Sequence, residues 1–483
     1  MRTFRDPILT IILLVSVVFG TLTLTRGHDW GDDFASYVGQ AKSIWNGTTN
    51  EFVEHNRFTI FESSILLGPV AYPWGYPLIL VPSYAFKGLS PLVLKLPGLA
   101  SYLGFLICLF ILTKDRFTRT ESLLLVSLFA FNPLLLDFLN QITSDIPFLF
   151  LSTFVLLLMT IKKMRKPFDL VILGTLISFA FFVRTQGILL LSTFLLAEII
   201  QLWKDRTDRE LTKKRAWNML IVSGSFTLWW AIYAMIFPGG GESYLVQYRD
   251  FRLETVSGFV RLYFWVFSLF FGQTTAWEYL YYFVFVFFLI GVWVRQKEDD
   301  IFIFYSLLWM LLIITWPSWQ GPRFIFPLLP IFMIFAFQGM KTVAQRLAGK
   351  WQMVGQKVIM AFWVIITGVF LFTSTANAYN NISTDRVTNG PYDLQSTTMF
   401  DYIREKTPPD SIIVFFKPRA MRLFTNRDSF MSFECERLPL GDYIVLSKKA
   451  ENSQIPVEQI GFCNLPLDDV YENRRFLVLK ILK

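Results

Sequence analysis

Long apolar stretches separated by short polar ones dominate this chain, and their length sets the first expectation. A helix that crosses a bilayer needs about 20 mainly apolar residues. Eleven segments approach or reach that length, near 7–25, 91–113, 121–139, 145–162, 168–184, 187–203, 216–236, 276–295, 301–317, 324–342 and 356–378. The polar segments between them alternate in character. "KDRF" at 114, "KKMRK" at 162–166, "KDRTDRELTKKR" at 204–215, "RQK" at 295–297 and "KTVAQRLAGK" at 341–350 are rich in Lys and Arg. Eleven crossings with the N-terminus inside put every one of these in the cytoplasm, as the positive-inside rule requires. The opening "MRTFRDPILTIILLVSVVFG" has no clear small-residue cleavage site and reads as an uncleaved signal anchor, with Arg2 and Arg5 inside.

Three segments then fall on the outer side. Residues 26–90 form a first outer loop far longer than a connector needs. Within it, "DDFASYVGQAKSIWNG" sets Phe34, Tyr37, Val38, Ala41 and Ile44 on one helical face, the pattern of a helix lying in the interface plane. "YPWGYPLILVPSYAFKGL" is apolar but interrupted by Pro73, Pro77 and Pro82, which predicts a helix resting on the outer surface and not a clean span. The second segment, 237–275, joins a polar "PGGGESYLVQYRD", read as flexible, to "FVRLYFWVFSLFFG". The apolar part, 258–275, is either interfacial or a further span that would invert everything after it. The third is the tail from about 378. There "TTMFDYIREKT" predicts a helix, and "SIIVFF", "DYIVLS" and "RRFLVLKIL" predict strands. About 100 residues suffice for a small domain. The expected organisation is therefore a polytopic α-helical membrane domain over 1–380 and a small extracytoplasmic α/β domain over 381–483.

Composition agrees with this reading. Only 17% of the 483 residues are charged, against about 25% in soluble chains, and the mean hydropathy is +0.45. The net charge of +8 does not point to nucleic acid, because the basic residues lie in short clusters between apolar runs. Cys108 lies in an apolar run. Cys435 and Cys463 either pair, if the tail is outside the cytoplasm, or remain two buried thiols. The sequons at Asn46 and Asn381 face outward and matter only in a cell that glycosylates them.

Polar groups beside apolar spans are costly and mark candidate chemistry. Asp32 and Asp33 open the amphipathic segment; one acid suits an N-cap, the other a general base. In "QITSDIPFLF", Ser144 or Asp145 is a helix cap or Asp145 a site group. "FFVRTQGILLL" sets Arg184, Thr185 and Gln186 at a tight outer turn, where the guanidinium either reaches headgroups or binds a phosphate. "WPSWQGPRFIFPLLPIF" holds Arg323 among prolines, either as an interfacial anchor or on a broken helix lining a cavity. "FFKPRAMRLFTNR" carries Lys417, Arg419 and Arg422, a solvated surface or a phosphate-binding set. No Walker-type loop, dinucleotide fingerprint, zinc site or nucleophile elbow is present, so the activated group must arrive in another form, such as a lipid-linked donor.

In order and sidedness these elements resemble the GT-C glycosyltransferase superfamily. They are the acidic pair after the first span, "YPWGYP" before the second, "SDIPF" opening the fourth and "PRFIFPLLP" late in the chain. The nearest branch holds the dolichyl-phosphate-mannose-protein mannosyltransferases and the bacterial lipid A aminoarabinose transferases. The resemblance covers residues 1–380, and the tail is similar to the small C-terminal domain of bacterial members. It implies outer-face, inverting transfer from a polyprenyl-phosphate-linked sugar donor to a lipid, glycan or protein acceptor in a multi-pass cell-membrane protein. An acid of the first loop would be the base or help hold a metal; Asp33 is preferred over Asp32 on helix position. Arg323 falls at the family's late Arg-Tyr element, with Phe324 in place of Tyr. The family's Lys-Pro-Pro element is "YPWGYP" here, with Tyr72 and no basic residue, so Arg184 or Lys417 would substitute, with Asp145, Gln186 and Arg419 as further substrate contacts. Asp32, Asp33 and Asp145 are the acids available to Mg²⁺ or Mn²⁺. A transporter or flippase of lipid-linked saccharides is the alternative from another class, disfavoured by the absence of internal repeats; a glycan ligase or polymerase shares the outer-face site.

Overall fold

The computed structural model describes residues 6–65, 67–161, 166–240, 251–384, 388–449 and 453–483. Arg2, Arg5, most of "KKMRK" and most of "PGGGESYLVQYRD" lie outside the described residues. Eighteen α-helices and five strands occur among the described residues. Seven helical segments are long and apolar enough to cross a membrane, and four shorter apolar helices accompany them.

Contacts between chain-distant polar groups fix two ends of the helical bundle. At one end Arg119 donates to Asp6 (2.6 Å), Lys341 to Glu121 (2.9 Å), and Arg116 to Asp299 (2.6 Å). At the other end Asn140 and Asn381 both donate to the Thr23 carbonyl (2.8 and 3.0 Å). Helix α1 (Pro7–Thr23) runs from the first end to the second, and α5 (Pro91–Thr113) returns. The predicted third span is broken. Thr118 and Glu121 form a capping box for α6 (Arg119–Ala130), Pro133 prevents continuation, and α7 (Pro133–Phe138) restarts with Asn132 as its cap. Together they still make one pass, because Arg119 meets Asp6 while Asn140 meets Thr23.

Helices α8 (Asp145–Thr160), α9 (Pro167–Val183), α10 (Ile188–Lys204), α11 (Arg209–Ile236), α13 (Thr275–Arg295), α14 (Asp300–Thr315), α15 (Leu329–Gln345) and α16 (Lys350–Thr384) continue the alternation. This alternation is compatible with about eleven passes. The basic segments 204–215, 295–297 and 341–350 fall at the Asp6 end. Helix α12 with its short continuation, Leu253–Phe270, is long and apolar enough to cross. Its end meets the break between α6 and α7, where Asn132 donates to the Phe270 carbonyl (2.8 Å). Helix α11 finishes at the Thr23 end, where the Tyr233 hydroxyl accepts from Trp74 N (2.9 Å). Helix α13 reaches the Asp6 end only at Arg295, which donates to Asp299 (2.9 Å).

The first loop folds into α2 (Asp32–Asn46), α3 (Thr49–Glu62) and α4 (Gly75–Lys87). Helix α3 has no marked apolar stripe, which is why the sequence pattern did not show it. A Cβ on Gly75 would overlap the Phe182 carbonyl, so glycine lets the start of α4 sit against the end of α9. The tail contributes α17 (Leu394–Lys406), β1 (Ile412–Phe415), α18 (Pro418–Thr425), β2 (Asp428–Phe430), β3 (Tyr443–Ser447), β4 (Leu467–Glu472) and β5 (Phe476–Ile481). The sheet order is β2-β1-β3-β5-β4. The pairs of β1 with β2 and β3 are parallel, and those of β5 with β3 and β4 antiparallel. Cys435 and Cys463 are joined in a disulfide, Cα–Cα 5.2 Å.

The tail domain is seated on the first loop. Trp30 packs against Phe400, Phe415, Phe416 and Phe476 with centroids 5.1–6.3 Å apart, and the Arg475 guanidinium lies over its ring (5.2 Å). Thr59 of α3 donates to the Ser429 carbonyl of β2 (2.8 Å). Helix α18 packs on α2, which brings the basic tail segment to the acidic pair.

Candidate active site

Asp32 and Asp33 occupy the first turn of α2, behind Gly31 as N-cap. Neither side chain caps the helix, so the capping role expected of one acid is not used. The carboxylates therefore answer to other partners. Asp33 Oδ1 accepts from the Tyr72 hydroxyl (2.6 Å), and Oδ2 from Arg323 Nη1 (3.0 Å). Gln40, two turns along α2, holds Tyr72 in place by donating to its carbonyl (2.8 Å) and accepting from its N–H (3.1 Å).

The late arginine reaches this site because the chain after α14 is a 3-10 segment, Pro322–Leu328, and not a regular helix. Trp309 Nε1 donates to the Phe324 carbonyl (2.7 Å) and pins it. Arg323 Nη1 is also 3.8 Å from Asp145 Oδ2. Asp145 begins α8 and is 2% exposed. Neither it nor Ser144 caps that helix by a side-chain bond. Asp145 pairs with Arg184, while the Ser144 hydroxyl bonds the Tyr37 hydroxyl (3.1 Å). Arg184 follows α9, lies over the Phe324 ring (5.0 Å) and donates to Gln186 Oε1 (3.4 Å). A Cβ on Gly187 would overlap the backbone at Ala180 and Phe181, so the tight turn that presents Arg184 and Gln186 requires glycine.

The tail domain supplies the other side. Arg419 is 4% exposed and lies over the Tyr72 ring (5.6 Å). Its Nη2 donates to the Pro69 carbonyl (2.6 Å) and its Nε to Asn56 Oδ1 (3.3 Å). Its Nη1 is buried with no hydrogen-bond partner. Lys417, one residue before α18, makes no ion pair within 4.0 Å among the described residues. Both carboxylate oxygens of Asp32 are shielded from solvent and lack a hydrogen-bond partner.

The two neighbouring acids are thus opposite in character. Burial raises the Asp32 pKa above the ordinary carboxylate value, an effect that the charges of Arg419 and Lys417 reduce and that of Asp33 reinforces. Burial also acts to raise Asp33. There the Arg323 charge, the hydrogen bonds from Tyr72 and Arg323 and the Arg419 charge outweigh it, and Asp33 is held below the ordinary value. Burial pushes the Tyr37 hydroxyl up to about 12, so it stays protonated.

Every sequence-predicted site residue lies at this one end. Tyr72, Asp33, Arg323, Asp145, Arg184 and Gln186 form a continuous polar chain, and Asp32, Lys417 and Arg419 close it from the tail side. Arg422 turns aside to pair with Asp428. Sequence reading did not single out Tyr37, whose ring packs on Tyr72 (centroids 4.7 Å), nor Gln40 or Asn56. The i, i+4 spacing from Asp33 to Tyr37 on α2 was the available signal. The acids do not fit a metal cage: among the described residues no group of three His, Cys, Asp or Glu is placed to hold an ion. Asp145 and Asp33 are already engaged by arginines.

Residues 73–233 match the family model described as dolichyl-phosphate-mannose-protein mannosyltransferase. No curated protein sequence matches the chain significantly. Among solved structures, ArnT from Cupriavidus metallidurans bound to undecaprenyl phosphate has a TM-score of 0.62 at 12% identity, covering 97% of both chains. The archaeal oligosaccharyltransferase AglB from Archaeoglobus fulgidus, in complex with an inhibitory peptide and a dolichol-phosphate, has a TM-score of 0.57 at 12% identity. That match covers 92% of this chain and 70% of AglB. The likeness to these two structures, over nearly the whole of this chain, shows that the chain shares their fold.

Proposed function

We propose that this protein is an integral membrane glycosyltransferase. It moves a sugar from a polyprenyl-phosphate-linked donor to an acceptor at the end of the bundle that carries Asp32. The observation that carries the reading is the site's division of labour: one shielded, unpartnered carboxylate faces unpaired cations. Sugar transfer develops positive charge at the anomeric carbon while a phosphate departs. A base must take the acceptor proton, and cations must stabilise the leaving group.

Asp32 suits the base, because its oxygens are free and its surroundings raise its proton affinity. Asp33 suits the anchor that orients Arg323. The sequence preferred Asp33 on helix position alone, and the surroundings of the two carboxylates favour Asp32. In the reaction the acceptor oxygen forms a bond to the anomeric carbon as the bond to phosphate oxygen breaks. The proton passes to Asp32, and Lys417, Arg419 and Arg323 receive the phosphate charge. A single displacement inverts the anomeric configuration. The basic segments at the Asp6 end support a cytoplasmic position for that end, with the site and the tail domain outside. The undecaprenyl phosphate bound in ArnT and the dolichol-phosphate in complex with AglB support the donor class.

The test is incubation of purified protein with a panel of polyprenyl-phosphate sugars, scoring release of free lipid phosphate. Release with at least one donor, abolished by Asp32→Asn, is expected; no release with any member would overturn the reading.

A further inference from the structure

A cavity of about 340 Å³ opens between α2, α3 and α18. On α2 its wall is a stripe of small and polar residues that begins at the proposed base. Asp32, Ser36, Gly39, Ser43 and Asn46 follow one another at four- and three-residue steps, so they share a helical face, and the last four line the cavity. The apolar residues Phe34, Tyr37, Val38 and Ala41 occupy the other face and are buried.

Two observations separate this cleft from an ordinary surface groove. Ser36 is 1% exposed and Arg419 4%, both line the cavity, and both Ser36 Oγ and Arg419 Nη1 lack a hydrogen-bond partner. Natural structures seldom leave such groups unmet. The cavity also carries three cations, Lys42, Arg419 and Arg422, against one acid, Glu51. Arg422 is engaged by Asp428, while Lys42 donates only to the neutral Asn426 Oδ1 (2.7 Å). Lys42 therefore leaves positive charge uncompensated at the wall, while the Arg419 charge is shared with Asp32 and Asp33.

We infer that this cleft is the acceptor subsite, and that it selects a sugar-sized acceptor bearing an oxyanion, a phosphate or a carboxylate. The inference rests on the proposed transferase reading, since it assigns the acceptor's path to the base. Lys42 would bind the oxyanion, Ser36 would hydrogen-bond the acceptor, and the stripe on α2 would lead its hydroxyl to Asp32. Donor and acceptor would then enter from different sides: the donor from the bundle past Arg323, the acceptor from between the loop helices and the tail domain.

The experiment is calorimetric titration of the full-length protein, saturated with undecaprenyl phosphate, with glucose 6-phosphate, glucuronate and neutral glucose. Binding of at least one anionic sugar and no measurable binding of glucose is expected. Lys42→Met should weaken it about tenfold, the loss of one charge-assisted contact, with the melting temperature and undecaprenyl phosphate binding unchanged. The anionic sugar that binds identifies the acid group. No binding of either anionic sugar, equal binding of glucose, or an unaltered affinity in Lys42→Met would overturn the inference. Failure of undecaprenyl phosphate itself to bind would count against the donor reading, and the sugar titrations on the lipid-free protein would still decide the cleft.

Discussion

Adjacent aspartates with opposite environments make distinct predictions for stability and for turnover. Asp32 has a raised folded-state pKa, so its neutral form is the one the fold prefers. Its contribution is fully favourable only below the unfolded value and is lost as pH rises through the folded value. At neutral pH, Asp32→Asn should therefore leave the melting temperature unchanged or higher while turnover falls about 10²–10⁴-fold. Asp33 is the reverse. Its lowered pKa means its stabilisation is present above the unfolded value and is lost as pH falls through the folded one. Asp33→Asn should lower the melting temperature at neutral pH, because Arg323 loses its partner, at a cost of about 1–3 kcal/mol. That deficit should shrink on acidification. Calorimetric melts of the two variants at pH 4 and pH 7 check both signs, and equal destabilisation by both would remove the distinction drawn between them. The pH–rate profile should follow Asp32: kcat/KM should rise with pH through an apparent pKa above the ordinary carboxylate value. A limb at or below that value would return the role to Asp33.

At the scale of elements, the site exists only while α18 stays on α2. Trp30 is the main apolar tie between first loop and tail sheet, and it is partly exposed. Trp30→Ala should cost less than the about 3–5 kcal/mol of a fully buried tryptophan, yet enough to loosen the docking. Hydrogen exchange should then accelerate in α17, α18 and β1, and turnover should fall although no substrate-facing group has changed. Protection as slow as in the parent would show that docking does not depend on Trp30. The Cys435–Cys463 bridge closes a loop with a sequence separation of 28, worth about 3–4 kcal/mol in the chain-entropy account. Reduction, or Cys435→Ser, should lower the unfolding midpoint of the tail domain before that of the bundle, read by near-ultraviolet circular dichroism during melting.

At the scale of the whole molecule, two ends of one bundle carry different chemistry. Lys and Arg clusters gather at the Asp6 end, and the carboxylates and guanidiniums of the candidate site and the disulfide at the other. Single cysteines at exposed Lys213 and Lys406 should label from opposite sides of sealed membranes with an impermeant thiol reagent. Labelling of both from one side would break the eleven-pass arrangement and the sidedness of the proposed reaction.

Much of this was legible in the linear chain, because a bilayer-length apolar run leaves few structural options. The segments at 91–113, 145–162, 168–184, 276–295 and 301–317 appear as helices with bounds close to those expected. The tail's helix and its three predicted strands also stand where the alternation placed them. The acidic pair, Asp145, Arg184, Arg323 and the basic tail set were visible as polar groups that apolar surroundings do not tolerate without a purpose. What the sequence could not supply was pairing. Periodicity says that Asp32 and Asp33 begin a helix, not that Arg323, 290 residues later, reaches one of them and leaves the other without a partner. It offered a pairing of Cys435 with Cys463 and an equal alternative. It offered Lys417 and Arg419 as substrate contacts, but not the packing of α18 on α2 that delivers them across the domain boundary. Those outcomes depend on which surfaces meet once helices pack, and on a balance of burial against charge that only the assembled neighbours of each group decide.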